Sequence, residues 1–123
     1  CGSLAEVVLP DSLTAIGEMA FSGCDSLTDI VIPDSVTSIG KNTFSHCTGF
    51  TSVVIPEGVT AIGDEAFSNC SNLTSVTLPK TLTSIGSDAF KGCPEMLAFT
   101  VPRDSWAETW CAENGGSYTY SKE

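Results

Sequence analysis

The sequence predicts an α/β repeat solenoid, because one motif recurs every 23 residues through most of the 123-residue chain. Prolines, glycines, phenylalanines and cysteines each keep this interval without slippage. A unit of this length cannot bury its apolar side chains alone, so successive copies must stack on one another. The four series are Pro10, Pro33, Pro56, Pro79 and Pro102; Gly17, Gly40, Gly63 and Gly86; Phe21, Phe44, Phe67 and Phe90; and Cys1, Cys24, Cys47, Cys70 and Cys93.

The first half of each copy predicts a β-strand. In the second copy, Ile30 and Ile32 would point to one side of a strand, and Asp29 and Val31 to the other. Pro33 should end the strand because it lacks the N–H that a central ladder needs. We therefore predict one main parallel sheet with one strand from each copy.

The second half of each copy predicts a return through a turn. Asp34 and Ser35 form this turn, and Ile39 re-enters the core. Gly40 is expected to hold a backbone conformation that a Cβ atom would penalise. The stretch 41–47 is too short for a stable isolated helix, so it predicts a short helical or 3-10 turn on the convex side.

The last segment departs from the repeat and predicts a C-terminal cap. Ser105 and Glu108 have the spacing of a capping box, and Trp106 and Trp110 follow at helical spacing. We expect an amphipathic helix whose two tryptophans cover the open end of the core. The predicted division is residues 1–102 for about four repeats with a truncated first copy, and residues 103–123 for the cap, with a helix over about 105–114 ending at Asn114-Gly115 and a closing strand over 117–120.

The repeat reads approximately L-x-x-I-x-I-P-x-x-V-x-x-I-G-x-x-A-F-x-x-C, and it closely resembles the BspA-type leucine-rich repeats over residues 1–102. Residues 105–115 resemble that family's terminal helix. The resemblance implies a right-handed leucine-rich repeat stack with a parallel sheet on one face. It also implies a secreted or surface protein of bacteria or some protists with a role in adhesion, and it carries over no catalytic residues. Departures from the pattern are mild: Thr43 replaces Ala, Phe50 replaces Leu, and Met96 replaces Leu.

The charge of the chain opposes two classes of partner. Fifteen Asp and Glu residues against five Lys and Arg residues give a net charge of −10, which disfavours nucleic acid and anionic membrane. No apolar stretch approaches the ~20 residues that a membrane-spanning helix needs. The acidic residues are scattered one or two per copy, which is typical of a solubilising surface. The chain also opens in the middle of a repeat, so we interpret it as a fragment of a longer protein.

The cysteines and the single histidine indicate no catalytic or metal chemistry. Stacked cysteines in one phase point the same way, which keeps their Cβ atoms too far apart for a bridge. We therefore expect all six thiols to be free, with a disulfide through Cys1 or Cys111 as the alternative. The chain has no C-x-x-C motif, and His46 should point outward while Cys47 points inward. We predict neither an enzyme nor a cofactor.

The remaining candidate site is the outward side of the main sheet, which we call the sheet face. Its β-branched and small polar residues would form a flat strip that could bind a ligand, although β-branched residues also suit strands for purely structural reasons. The two columns of the sheet face are Glu6, Asp29, Ser52, Ser75 and Ala98, and Val8, Val31, Val54, Thr77 and Thr100.

The sequence thus predicts a noncatalytic protein- or glycan-binding adhesion module of a larger secreted or cell-surface protein. The alternative is a structural spacer that projects another domain. The first copy has no predicted cap, so we also expect weak self-association through residues 1–21.

Overall fold

The computed structural model describes residues 9–28, 30–94, 97–113 and 117–120. They form a β-solenoid of parallel strands with about four turns. Glu6, Val8, Asp29, Met96 and the predicted helix stop at Asn114-Gly115 lie outside the described residues. The elements are β1 (Ala15–Ile16), β2 (Ser38–Ile39), β3 (Ser52–Val54), β4 (Ala61–Ile62), β5 (Ser75–Thr77), β6 (Ser84–Ile85), β7 (Ala98–Val101), α1 (Trp106–Glu113) and β8 (Ser117–Tyr120).

The strands form two parallel sheets, whereas the sequence predicted one. The predicted main sheet has the order β3-β5-β7-β8, and a second sheet has the order β1-β2-β4-β6. Strands of the second sheet are only two residues long, so no alternation of apolar and polar residues reveals them. They are defined by hydrogen bonds between copies, such as Thr60 N–H to the Thr37 carbonyl at 2.9 Å and Gly63 N–H to the Ile39 carbonyl at 2.8 Å.

The core lies between the two sheets and follows the predicted alternation. Ile30 and Ile32 are buried and Val31 between them is exposed. Strands β3, β5 and β7 pair at an offset of one repeat, as in the pairing of Val53 with Val76. Strand β8 pairs with β7 at a shorter offset, as in the pairing of Ala98 with Ser117. The expected main-sheet strand of the second copy is not formed over residues 30–33, where only Val31 takes part in a bridge. The Pro33 carbonyl accepts the N–H of Val36 at 3.1 Å, which closes the predicted turn.

The convex segment is a chain of single turns and not the predicted helical or 3-10 turn. The N–H of Thr43 donates to the Gly40 carbonyl at 3.4 Å, and the N–H of Ser45 donates to the Asn42 carbonyl at 3.3 Å. Asn42 and His46 have φ values of 57° and 61°. These left-handed residues reverse the backbone before a helical turn can continue.

Gly40 is required for a different reason from the one predicted. Gly40 does not have a positive φ, whereas Gly23, Gly58 and Gly92 do. A Cβ atom on Gly40 would instead lie 2.8 Å from the Glu18 nitrogen and 2.9 Å from the Ile16 oxygen. Gly40, Gly63 and Gly86 therefore permit adjacent copies to approach closely.

The phenylalanine series forms an internal stack that meets helix α1. Ring centroids of Phe21 and Phe44 are 5.5 Å apart, and those of Phe67 and Phe90 are 5.4 Å apart, with nearly parallel planes. At the C-terminal end, Trp110 lies 5.9 Å from Phe90. Trp106, by contrast, is exposed, so the expectation that both tryptophans cover the core is wrong for Trp106.

Helix α1 begins one residue after its N-cap. The Ser105 hydroxyl accepts the N–H of Glu108 at 3.1 Å, as the capping box predicts. The Glu108 carboxylate accepts the N–H of Asp104 at 2.8 Å and not that of Ser105. Beyond the helix, β8 pairs in parallel with β7. Within the residues that the structure describes, no helix is long and apolar enough to span a membrane.

A candidate binding face on the main sheet

The structure places the described residues of the sheet face on the outer side of the main sheet. Ser52 and Val54 are exposed on β3, whereas Val53 between them points into the core. The strand pairings align Val54 with Thr77 and Thr77 with Thr100. The shorter column aligns in the same way through Ser52, Ser75 and Ala98. Strand alternation therefore brings these predicted residues together as two straight columns.

The two valines are the apolar centre of this face. Val31 is 76% exposed and Val54 is 62% exposed, the two highest values among the large apolar residues described. Further along the stack, Thr77 and Thr100 are half-buried. The apolar surface of the sheet face is therefore concentrated in the second and third copies.

A groove of about 550 Å³ runs over these valines. Its floor is firm because Ile32 and Ile55 are buried in the core below. Two carboxylates, those of Asp34 and Glu57, lie along it. The complete lining is Ile30, Val31, Ile32, Asp34, Ser52, Val54, Ile55, Pro56, Glu57, Thr77 and Leu78.

The two carboxylates belong to a charged column that the sequence analysis missed. The residue after each repeat proline is Asp11, Asp34, Glu57, Lys80 or Arg103, and all five are exposed. The column is acidic in the first three copies and basic in the last two. Spacing of 23 residues from one proline to the next would have revealed it, but these residues follow the strand, and only Asp34 was assigned a role, in the turn.

Local contacts hold two members of this column in place. Both carboxylate oxygens of Glu57 accept the backbone N–H of Lys80, at 3.2 and 3.3 Å. The guanidinium of Arg103 lies 3.9 Å from the centre of the Tyr120 ring. These contacts restrain the positions of the Glu57 carboxylate and the Arg103 guanidinium on the surface.

The thiols form an internal ladder. Cys47, Cys70 and Cys93 each donate to the carbonyl of a phenylalanine in the preceding copy. The sulfur–oxygen distances are 3.1, 3.2 and 3.2 Å. Burial raises the pKa of the Cys47 thiol to about 11. A hydrogen bond with the Cys93 side chain, together with burial, raises the pKa of the Cys70 thiol. All three thiols satisfy backbone carbonyls, and the raised pKa values keep Cys47 and Cys70 protonated at neutral pH.

Cys24 differs from the other described cysteines. It is disulfide-bonded, whereas Cys47, Cys70, Cys93 and Cys111 are free thiols. The expectation that all six thiols are free is therefore wrong at Cys24. The disulfide of Cys24 is not formed with any of these four free thiols.

Among the described residues, the histidine and the cysteine considered as a catalytic pair are not brought together. His46 is exposed while Cys47 is buried and bonded to the Phe21 carbonyl, so the two do not face each other. Over residues 9–28, 30–94, 97–113 and 117–120, no three His, Cys, Asp or Glu side chains are grouped to hold a metal ion.

The solved structures similar to this chain include three bacterial leucine-rich repeat proteins. A leucine-rich repeat protein from Bacteroides ovatus is 32% identical with a TM-score of 0.75 over 89% of this chain and 28% of its own. The leucine-rich repeat protein of T. pallidum is 38% identical with a TM-score of 0.78 over 81% of this chain and 47% of its own. A leucine-rich cell surface protein from Faecalibacterium prausnitzii is 31% identical with a TM-score of 0.71 over 93% of this chain and 25% of its own.

The chain thus spans less than half the length of these three proteins. Comparison with curated proteins gives no match. A family model for the BspA-type leucine-rich repeat region matches residues 1–108 in six copies. This match covers most of the chain, so the chain belongs to the BspA-type leucine-rich repeat family.

Proposed function

We propose that this chain is a noncatalytic module that binds a protein or glycan on its sheet face, within a larger secreted or cell-surface protein. The observation that carries the proposal is the exposure of Val31 and Val54 side by side over one groove. Exposed apolar groups that adjoin one another on a rigid surface are typical of interaction sites. The description of one structural neighbour as a cell surface protein supports the proposed location.

The cap belongs to this proposal. We infer that residues 103–123 close the C-terminal end of a right-handed α/β leucine-rich repeat stack formed by residues 1–102. Helix α1 buries Ala107 and Cys111 against the last turn, and β8 covers the edge of β7. Capping units of this kind keep the end of a solenoid soluble, which leaves the sheet face available to a partner.

The test compares two double variants with equal charge changes. Val31→Arg with Val54→Arg places two cations on the sheet face, and Ser71→Arg with Thr109→Arg places two on exposed positions elsewhere. Binding is measured on a glycan array and on a panel of immobilised extracellular-matrix proteins. We expect the first variant to lose every interaction that the wild type shows, with an almost unchanged thermal midpoint because both side chains point to solvent.

A structural spacer remains the second candidate, and the continuity of the stack favours it. Hydrogen bonds join successive copies along the second sheet and the convex turns, and along the main sheet from the third copy onward. If both double variants behave like the wild type in every binding assay, the spacer is the better description and the sheet face is not a binding site.

A further inference from the structure

We propose that the groove over Val31 and Val54 takes an extended peptide that carries apolar and cationic side chains. The apolar side chains would lie on the two valines, and a Lys or Arg of the ligand would lie against Asp34 and Glu57. This inference rests on the proposed function, since it identifies the chemical class that the sheet face binds.

The shape of the groove favours an extended chain. Its floor consists of the exposed valines above the buried Ile32 and Ile55, and Ser52 and Thr77 beside the valines have short side chains. A shallow strip of this kind offers little enclosure to a compact molecule, which gains affinity by having most of its surface covered. A peptide that crosses several strands can instead contact the valines of successive copies.

The negative charge of the groove favours a ligand with positive charge. Asp34 and Glu57 are exposed and line the same space as the valines, and the lining includes no Lys or Arg. Within the described chain, neither carboxylate forms an ion pair with a basic side chain. A cationic ligand therefore meets two acceptors whose charge is not already neutralised nearby.

Glu57 is the better ordered of the two acceptors. The N–H of Lys80 holds its carboxylate through both oxygens, and a carboxylate can accept further hydrogen bonds beyond these. Because the side chain is already positioned, less conformational entropy is lost when a ligand binds. The charged column becomes basic at Lys80 and Arg103, beyond the groove. Repulsion from these residues would keep the cationic group of the ligand beside Asp34 and Glu57, next to the valines.

The residue types in the lining favour a peptide over a glycan. Sugar rings are usually held by stacking on aromatic side chains and by clusters of amide donors. The groove lining contains no aromatic residue and no Asn or Gln. Aliphatic side chains beside carboxylates are instead complementary to Leu or Val beside Arg or Lys.

The net charge of −10 attracts any cation, so the experiment must separate local recognition from general attraction. Three fluorescent ten-residue peptides serve as probes: alternating Leu and Arg, alternating Ser and Arg, and alternating Leu and Glu. Fluorescence anisotropy measures the affinity of each at physiological ionic strength. We expect the Leu/Arg peptide to bind at least about tenfold more tightly than the other two.

Two charge-matched variants locate the site. Asp34→Asn with Glu57→Gln removes the two groove carboxylates, and Glu18→Gln with Glu113→Gln removes two exposed carboxylates elsewhere. The groove variant should weaken binding of the Leu/Arg peptide by about fivefold, and the control should change it less than about twofold. Val54→Arg should abolish binding because it removes the apolar contact and adds a like charge.

Equal affinity for the Ser/Arg peptide, or equal losses in the two charge-matched variants, would overturn the inference. If the Leu/Glu peptide binds as tightly as the Leu/Arg peptide and its binding is lost in Val54→Arg, the sheet face binds ligands but the cationic class is wrong. If no peptide shows binding that depends on Val54, the inference fails, and the array measurement with the Val31 and Val54 double variant then decides the proposed function separately.

Discussion

The indole of Trp110 lies 5.9 Å from the ring of Phe90 and 5.4 Å from that of Phe99. Phe90 is the last member of the stacked series, and Phe99 points inward from β7 of the main sheet. One side chain of helix α1 therefore contacts the convex turns and the main sheet at the same end of the core. The indole plane is inclined by 58° to the ring of Phe90 and by 82° to that of Phe99. The parallel stacking of the phenylalanine series therefore does not continue to Trp110.

Replacing Trp110 with Ala should destabilise the protein strongly. Loss of a large aromatic side chain from this contact should lower the free energy of unfolding by about 3 kcal/mol, measured by urea denaturation. Trp106→Ala is the matched control on the same helix. Trp106 is 36% exposed, so its replacement should cost less than about 1 kcal/mol. Equal costs at the two positions would show that Trp110 does not close the core.

The glycine series offers a second test with an internal control. A Cβ atom on Gly63 would lie 2.6 Å from backbone atoms of Gly40 and Lys41, whereas one on Gly17 would meet nothing within 4 Å. Gly63→Ala should therefore lower the free energy of unfolding by about 2–3 kcal/mol, because backbone atoms must move.

Gly17→Ala should be neutral or slightly stabilising in the same measurement, since it restricts the unfolded chain without a clash. If the two alanine variants unfold at the same urea concentration, close approach of the copies is not what requires glycine at this position.

The main sheet could be predicted from sequence because its strands carry a local signal. Ile30 and Ile32 alternate with Val31, and the structure buries the first two and exposes the third. The second sheet has no such signal in strands as short as Ser38–Ile39. Its pairing is visible only when the copies are stacked, because the hydrogen bonds join residues that are 23 positions apart.

The form of the convex turns could be predicted only in part. Asn42 has a positive φ and belongs to a residue type that tolerates it, but Glu65 and Asp88 hold the same conformation one and two copies later. For glutamate in particular, hydrogen bonds between copies impose the turn, such as Glu65 N–H to the Ser87 carbonyl at 3.0 Å. The binding face could also be predicted only in part. Strand alternation predicted the outward position of Val31 and Val54. It could not predict the groove carboxylates of Asp34 and Glu57, because these residues lie beyond the alternating segment.

Alkylation tests the arrangement of the cysteines. Under denaturing, nonreducing conditions, the reagent should label the four described free thiols and leave Cys24 unlabelled until a reductant is added. Peptide mass spectrometry identifies each site. In the native protein, the half-buried Cys93 should react before Cys47 and Cys70, which are fully buried. Labelling of Cys24 before reduction would show that its disulfide is absent in solution.

Alkaline pH should destabilise the fold through its buried thiols. Burial raises the pKa of Cys47 and of Cys111 from 9.0 to about 11 in each case. The unfolded chain therefore releases these protons at lower pH than the folded chain. Their contribution to stability is complete below pH 9 and is lost as pH rises toward 11, by roughly 2–3 kcal/mol for each thiol.

The measurement is the free energy of unfolding in urea at intervals from pH 8 to pH 11. The control is the double variant Cys47→Ala with Cys111→Ala, which is less stable at pH 8 because it leaves two small cavities and removes the thiol donor to Phe21. Lysines and tyrosines titrate in both proteins, so the difference between the two curves reports the thiols. The curves should converge as pH rises from 9 to 11, since the wild type loses an advantage that the variant lacks, and parallel curves would contradict the assignment.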